Sequence, residues 1–176
     1  MNIIITILLV VAGIIVLLLL VALFMKREHY VIRDIIINAP RQKVFDYVKL
    51  LKNQDEFNKH AMAGPDRYKA FRGTDGTVGY IYSWSGDKNA GVGEKEIKNI
   101  VEGQRIEMEI RFTKPMQVTA DIIMETASLP NNQTKVSWSN AGTLKYPFNI
   151  MIPMMEKHVK KEMDTSLSTL KDILEK

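Results

Sequence analysis

The chain contains no cysteine, and not one charged side chain occurs before Lys26. The lack of cysteine leaves no thiolate for a metal and fits a reducing compartment. Histidine is nearly as scarce: His29, His60 and His158 are the whole complement. Their spacing matches no H-E-x-x-H or related ligand pattern, so neither a metal nor any other cofactor is expected. A nucleophile elbow is missing as well. Gly73, Gly76, Gly79 and the Gly91-x-Gly93 pair open no strand-to-helix crossover, so they read as turns and not as phosphate cradles. Internal repeats and low-complexity linkers are absent, and at 176 residues there is room for one ordinary domain plus a short extra element.

Positive charge is in excess, with a net +4 and a pI near 9.2. Acidic residues are interleaved with it along the chain, as on any solvated surface. Basic blocks with aromatics between them, of the kind that grip single strands, do not occur. Nucleic acid is therefore not expected as a partner.

What stands out first is the run from Ile3 to Met25, apolar throughout except for Thr6 and Gly13. As a helix it would be about 34 Å long at ~1.5 Å per residue, enough to cross a hydrocarbon core of about 30 Å. A cleavable signal peptide would need a basic leading region, a shorter apolar stretch and a small-x-small cleavage site. Only Asn2 and the α-amine precede the run, and Ala22-Leu23-Phe24 ends on a bulky residue. Residues 3–25 are thus expected to remain as a single transmembrane anchor. Lys26 and Arg27 follow directly, with Arg33, Arg41 and Lys43 close behind, so the positive-inside rule places the remainder in the cytoplasm. The Lys26-Arg27 pair and His29 read as interfacial residues beside anionic lipid. No small-x-x-x-small pattern in the run calls for helix dimerisation.

Beyond the anchor the hydrophobic period changes repeatedly. Tyr30 to Ile37 is β-branched and strand-like, and Asn38-Ala39-Pro40 stops it, with Asn38 as a candidate cap and Pro40 in the first helical turn. Val44, Phe45, Val48 and Leu51 then recur at helical spacing. A short second helix is expected around Asp55 to His60, ended by Ala63-Gly64-Pro65. A succession of strands follows. Tyr80, Tyr82 and Trp84 alternate with polar or smaller neighbours, and Gly86 to Gly91 reads as a hairpin loop. Glu94 to Val101 is a polar strand without a dominant face. Ile106, Met108, Ile110 and Phe112 alternate cleanly with charged residues, and Val118 to Thr126 and Thr134 to Ala141 complete an antiparallel meander. Asn132-Gln133-Thr134 is formally a glycosylation sequon but reads better as turn chemistry. Met155, Val159, Met163, Leu167, Leu170 and Leu174 then form one stripe of a long amphipathic helix, with Pro153 in its first turn. That helix needs a large apolar surface to cover, and the curved sheet is the one on offer.

This order resembles the START-like, or SRPBCC, superfamily with its helix-grip fold. The likeness is carried by Asn38-Ala39-Pro40 followed by Val44-Phe45-Asp46-Tyr47-Val48, a stop-and-helix typical of the polyketide cyclase/dehydrase branch. Val78-Gly79 before Tyr82-Ser83-Trp84, the Gly91-Val92-Gly93-Glu94 segment, the Thr134-to-Trp138 strand and the closing helix add to it. It covers residues 28–176. The resemblance implies an α+β domain in which a curved antiparallel sheet wraps the C-terminal helix around a cavity for an apolar or amphipathic small molecule. It also suits an anchored form like those of bacterial members. It does not imply catalysis, because the same fold serves carriers, cyclases, receptors and chaperone activators.

Strand phase places Tyr80, Tyr82, Trp84, Met108, Ile110, Phe112, Ile122, Met124 and Trp138 on the concave face, with Val136 beside them. Met151, Met154, Met155, His158 and Met163 would face them from the helix or the loop before it. Some must simply fill a core, yet methionine suits surfaces that adapt to variable ligands, and Tyr and Trp bring polar handles. Tyr80, Tyr82, Trp84, Met108, Ile110, Phe112, Ile122, Met124, Trp138, Met151, Met155 and His158 are the expected ligand-binding residues. No catalytic residue is assigned. The expected function is a membrane-anchored binding protein for a lipid-like or polyketide-like molecule. The alternatives are a cyclase/dehydratase-type enzyme using His60, His158, Tyr82 or Glu94 for proton transfer, or a protein-interaction module of the chaperone-activator kind.

Overall fold

The computed structural model describes residues 2–59, 68–86 and 91–176. Helix α1 (Ile3–Phe24) comes first. Strand β1 (Glu28–Ile37), helix α2 (Arg41–Lys49), a 3-10 turn (Leu51–Asn53) and a one-turn helix α3 (Gln54–Phe57) follow. Six strands come next: β2 (Tyr68–Arg72), β3 (Ile81–Ser85), β4 (Val92–Val101), β5 (Arg105–Lys114), β6 (Val118–Leu129) and β7 (Gln133–Thr143). A second 3-10 turn (Phe148–Met151) leads into helix α4 (Ile152–Leu174).

The strands form one antiparallel sheet in the order β1-β7-β6-β5-β4-β3-β2. Six of them run as a meander, while β1 reaches across to pair with β7. Alternation within the strands decides which residues face inward. Ile106, Met108 and Ile110 on β5 are buried, as are Ala120, Ile122 and Met124 on β6 and Thr134, Val136 and Trp138 on β7. Helix α4 lies across this face and buries Met163, Leu167, Leu170 and Leu174. At about 1.5–3 kcal/mol for each fully buried large apolar side chain, this stripe supplies much of what holds helix to sheet.

Helix α2 closes one end of the layer pair. Its Val44, Phe45 and Val48 join Ile37, Ile106, Val136 and Leu170 in the core. Two polar ties fix that end. Thr134 Oγ1 donates to the Ala39 carbonyl at 2.7 Å, and Lys43 Nζ donates to the Leu174 carbonyl at 2.8 Å. Pro40 is the N-cap residue of α2, one position earlier than the sequence suggests, and Asn38 does not cap. The Asn38 backbone N–H instead donates to Glu175 Oε1 at 2.6 Å, which ties β1 to the end of α4. The second helix is shorter than expected and ends at Phe57; His60 and the Ala63-Gly64-Pro65 break lie outside the described residues.

Helix α1 is apolar and exposed almost throughout, with a mean hydropathy of 3.5 and only Ala22 buried. It is long and apolar enough to cross a membrane. Its C-terminal end is held by the domain. Asn149 Nδ2 donates to the carbonyls of Ala22 and Met25 at 2.7 and 3.1 Å, Lys26 pairs with Glu156 at 2.6 Å, and Leu144 N–H donates to the Arg27 carbonyl at 2.8 Å. The end of α1 therefore sits beside the end of β7 and the start of α4, opposite the end that α2 closes.

Candidate functional site

At the end of the layer pair nearest α1 the sheet and α4 part around a cavity of about 430 Å³. Its cause is side-chain size. Ala120 and Asn140 are small inward residues on its wall, Ala120 opposite Ile110 and Asn140 opposite Ile122, while Gly93 and Gly142 leave room for the Trp84 and His29 rings. At the α2 end the matching inward positions hold Ile97, Ile106, Met124 and Val136, all fully buried.

The walls are mostly apolar. Trp84, Ile110, Phe112, Ile122, Trp138, Val159 and Met163 line it, with Pro115, Met116, Val118 and Met155 around the mouth. Aromatic contacts brace one wall: Tyr82 to Trp84 at 5.9 Å between centroids, and Trp84 edge-on to Phe112 at 5.5 Å. Gly93 makes this possible. A Cβ there would meet the Trp84 ring at 2.7 Å, so Gly93 is a strand residue cleared for an indole, where the sequence suggested a turn.

Polar groups enter at two places. On β1, His29 is only 4% exposed, so it is not the interfacial residue its position suggests. It follows the same inward phase as Val31. Its Nε2 lies 2.9 Å from Asn140 Oδ1, and its Nδ1 has no hydrogen-bond partner. The ring fits because its cross-strand neighbour is Gly142, where a Cβ would stand 2.6 Å from His29 Cε1. On β4, Lys95 faces inward in phase with Gly93 and Ile97, which gives that strand the dominant face the sequence did not reveal. Lys95 Nζ donates to Gln54 Oε1 at 2.6 Å, and Gln54 Nε2 reaches Met108 Sδ at 3.6 Å. Beside it, Tyr82 donates its hydroxyl to Asp55 Oδ1 at 2.8 Å, and Lys69 Nζ donates to Asp55 Oδ2 at 2.7 Å. Burial pushes the Lys95 ammonium down to about 8, with Asp55 opposing the shift.

The expected ligand-binding residues divide by position. Tyr82, Trp84, Ile110, Phe112, Ile122, Trp138, Met155 and His158 line the cavity. Tyr80, Met108 and Met124 are buried in the solid core instead, Met108 because the Gln54 amide covers it. Met151 and Met154 are exposed beside the end of α1. His158 stands at the rim, with its Nε2 3.4 Å from Glu162. Glu94 projects from the outer face, where Arg111 gathers Glu94, Glu96 and Glu109. Hydrogen bonding by Arg111 holds the Glu96 carboxyl below its ordinary range. Neither Glu94 nor Glu96 can meet a molecule in the cavity. Sequence reasoning passed over His29, Lys95, Asn140, Gln54 and Ser166. Phase alone could have found the strand residues, since each lies two or four positions from a buried apolar residue on its own strand.

Among the described residues no group of histidines and carboxylates is placed to hold a metal. No protein-family model matches the chain, and no curated protein matches it in sequence. Solved structures do match. An Aha1 dimer from Colwellia psychrerythraea superposes with a TM-score of 0.59 at 14% identity over 84% of this chain and 96% of that one. Ara h 8.0201 superposes at 0.59 and 12% identity over 84% and 97%. DynU16, a putative protein of the dynemicin biosynthetic locus, gives 0.58 at 11% identity, covering 83% of this chain and 47% of its own length. At such identities the likeness shows the fold alone: residues 28–176 have the α+β, START-like helix-grip architecture.

Proposed function

We propose that this chain is a membrane-anchored binding protein that holds a hydrophobic, lipid-like or polyketide-like molecule between the sheet and α4. The observation that carries the reading is the cavity itself: mostly apolar walls around about 430 Å³, set in one end of the core. Anchoring is supported by α1, whose apolar side chains find no partner in the domain and begin to meet it only at Ala22. A bilayer would bury them, as residues 3–25, and would stand beside the cavity end of the domain. The basic residues after α1 favour a cytoplasmic domain in the cell membrane. A hydrophobic ligand is concentrated where such a domain sits, so uptake, sequestration and hand-over need no long aqueous passage.

The test is to purify the full chain gently into phosphatidylcholine nanodiscs, extract it and weigh what is released. About one apolar molecule per chain is expected, and Ala120→Phe, which fills the hollow, should lose it. An empty chain that also ignores oleyl alcohol and apolar dyes would overturn the reading. Carbonate extraction of the mature protein separates a retained anchor from a cleaved signal, because only the anchored chain stays with the membrane at its full mass.

Two rivals rest on specific observations. A cyclase/dehydratase-type enzyme is favoured by Lys95 near Asp55 and Tyr82, a proton-active group inside the cavity. A protein-interaction module of the chaperone-activator kind is favoured by Tyr30, Ile32 and Ile36, exposed in alternation on the edge strand β1. Turnover of a released ligand would select the first, and an empty cavity with a protein captured on β1 the second.

A further inference from the structure

We propose that the ligand is a single-chain amphipath with a carboxylate head group, seated with that head group against Lys95. The proposal rests on the reading of the cavity as a binding site for a hydrophobic molecule and says which molecule fits it.

An ammonium has three donors, and burying one is expensive unless it is paired. Lys95 is only 6% exposed, and its Nζ makes one hydrogen bond, to the neutral amide of Gln54. Among the described residues it forms no ion pair. Asp55, the acid whose charge acts on Lys95, is already committed: one carboxylate oxygen accepts from Lys69 and the other from Tyr82. Asp55 is shared with Lys69 and only partly offsets Lys95, so among the described residues this ammonium has no carboxylate of its own, and it lines the hollow. The other carboxylate or lysine among the described lining residues, Glu162, belongs to the rim, where His158 stands next to it. Even at about 8, the lysine remains mostly protonated at neutral pH.

A single cation at the inner end of an apolar chamber is matched by a monoanion with a hydrocarbon tail. The tail would run from Lys95 past Trp84, Ile110 and Phe112 towards the mouth at Met155 and Met116. Volume suits one chain. At roughly 30 Å³ for a water-sized group, 430 Å³ takes about fourteen such groups, comparable to much of one acyl chain. The carboxylate would accept from the two free N–H groups of Lys95, charge-assisted hydrogen bonds of the strong kind.

The test uses the full chain in phosphatidylcholine nanodiscs, incubated with equal amounts of oleate and oleyl alcohol and released for native mass spectrometry. The two probes share a chain and differ in the head group. The wild type is expected to carry oleate over oleyl alcohol by more than about tenfold, the ratio that 1.4 kcal/mol sets. Lys95→Met should bring the ratio near one while still carrying the alcohol, which shows that it remains folded and hollow. Lys95→Arg should keep the preference. Equal uptake of both probes by the wild type overturns the proposal and leaves the cavity reading standing. So does a preference that survives Lys95→Met, or oleyl phosphate displacing oleate. Uptake of neither probe sinks the cavity reading and this proposal with it.

Discussion

The two ends of the sheet–helix sandwich are made from the same strands and the same helix, yet one is solid and the other hollow. At the end closed by α2, branched and long side chains meet from three elements: Val44 and Phe45 from α2, Ile106 and Val136 from the sheet, Leu167 and Leu170 from α4. At the other end the sheet offers Ala120 and Asn140 to the hollow, and the room left by Gly93 and Gly142 is taken by the Trp84 and His29 rings. Close packing is the ordinary condition of a protein interior, so a run of small residues on adjacent strands is where space can persist. The solid end holds the fold, which leaves the hollow end free to carry polar groups that a packed core would reject. Lys95 and His29 are there, and the buried charge at that end opposes folding.

The contrast can be broken most directly by truncation. Phe45→Ala at the solid end should cost about 3–5 kcal/mol in urea denaturation, because α2 and α4 cannot collapse onto the gap. Phe112→Ala, half-buried and already bordering space, should cost under about 2 kcal/mol. Equal losses would mean that the two ends do not differ in packing.

Next in size is a pH effect confined to the hollow end. The Lys95 ammonium is held at about 8 in the folded chain, against 10.5 when free. Between those values the unfolded chain binds the proton and the folded chain does not, so stability rises with pH across that window. Below pH 8 both states are protonated and the full burial penalty is present. The rise should reach up to about 3 kcal/mol, and Lys95→Met should abolish that part of it in denaturation midpoints compared at pH 7.5 and 10. A wild-type profile identical to that of the variant would show that the ammonium is not buried.

A smaller loss tests the space around His29. Gly142→Ala places a Cβ 2.6 Å from His29 Cε1 and 2.9 Å from the Thr119 carbonyl, and should cost about 1–3 kcal/mol. Adding His29→Ala should return part of it, whereas strict additivity would show that the ring is not the obstacle. Smallest of all, Glu94→Gln on the outer face should change stability by less than about 1 kcal/mol and leave ligand uptake untouched.

Much of this was legible along the chain. The apolar run, the alternation on β5 and the stripe from Met155 to Leu174 each announce an element, because a helix and a strand impose different periods on burial. The concave face was read correctly for Tyr82, Trp84, Ile110, Phe112, Ile122 and Trp138 as inward residues. Where phase was weighed by hydrophobicity alone, it misled. Lys95 and His29 are polar residues at inward positions: the strand of the first read as polar without a dominant face, and the second read as interfacial, for that reason. Glu94 drew attention that belonged to the lysine beside it.

The sequence by itself determined the period of every long element, and with it which residues turn inward and that one helix at the N-terminus finds no place in the domain. These are local consequences of backbone geometry, carried by each segment independently. Only the tertiary structure decided which inward residues touch one another. Trp84, Ile110, Ala120, Trp138 and Asn140 come from four different strands, and it is strand pairing that assembles them around one hollow. The packing of α3 brings Gln54 to Lys95 and leaves that lysine facing space instead of a carboxylate. A cavity is a property of neighbours, and neighbours across a sheet are set by pairing, which no single strand encodes.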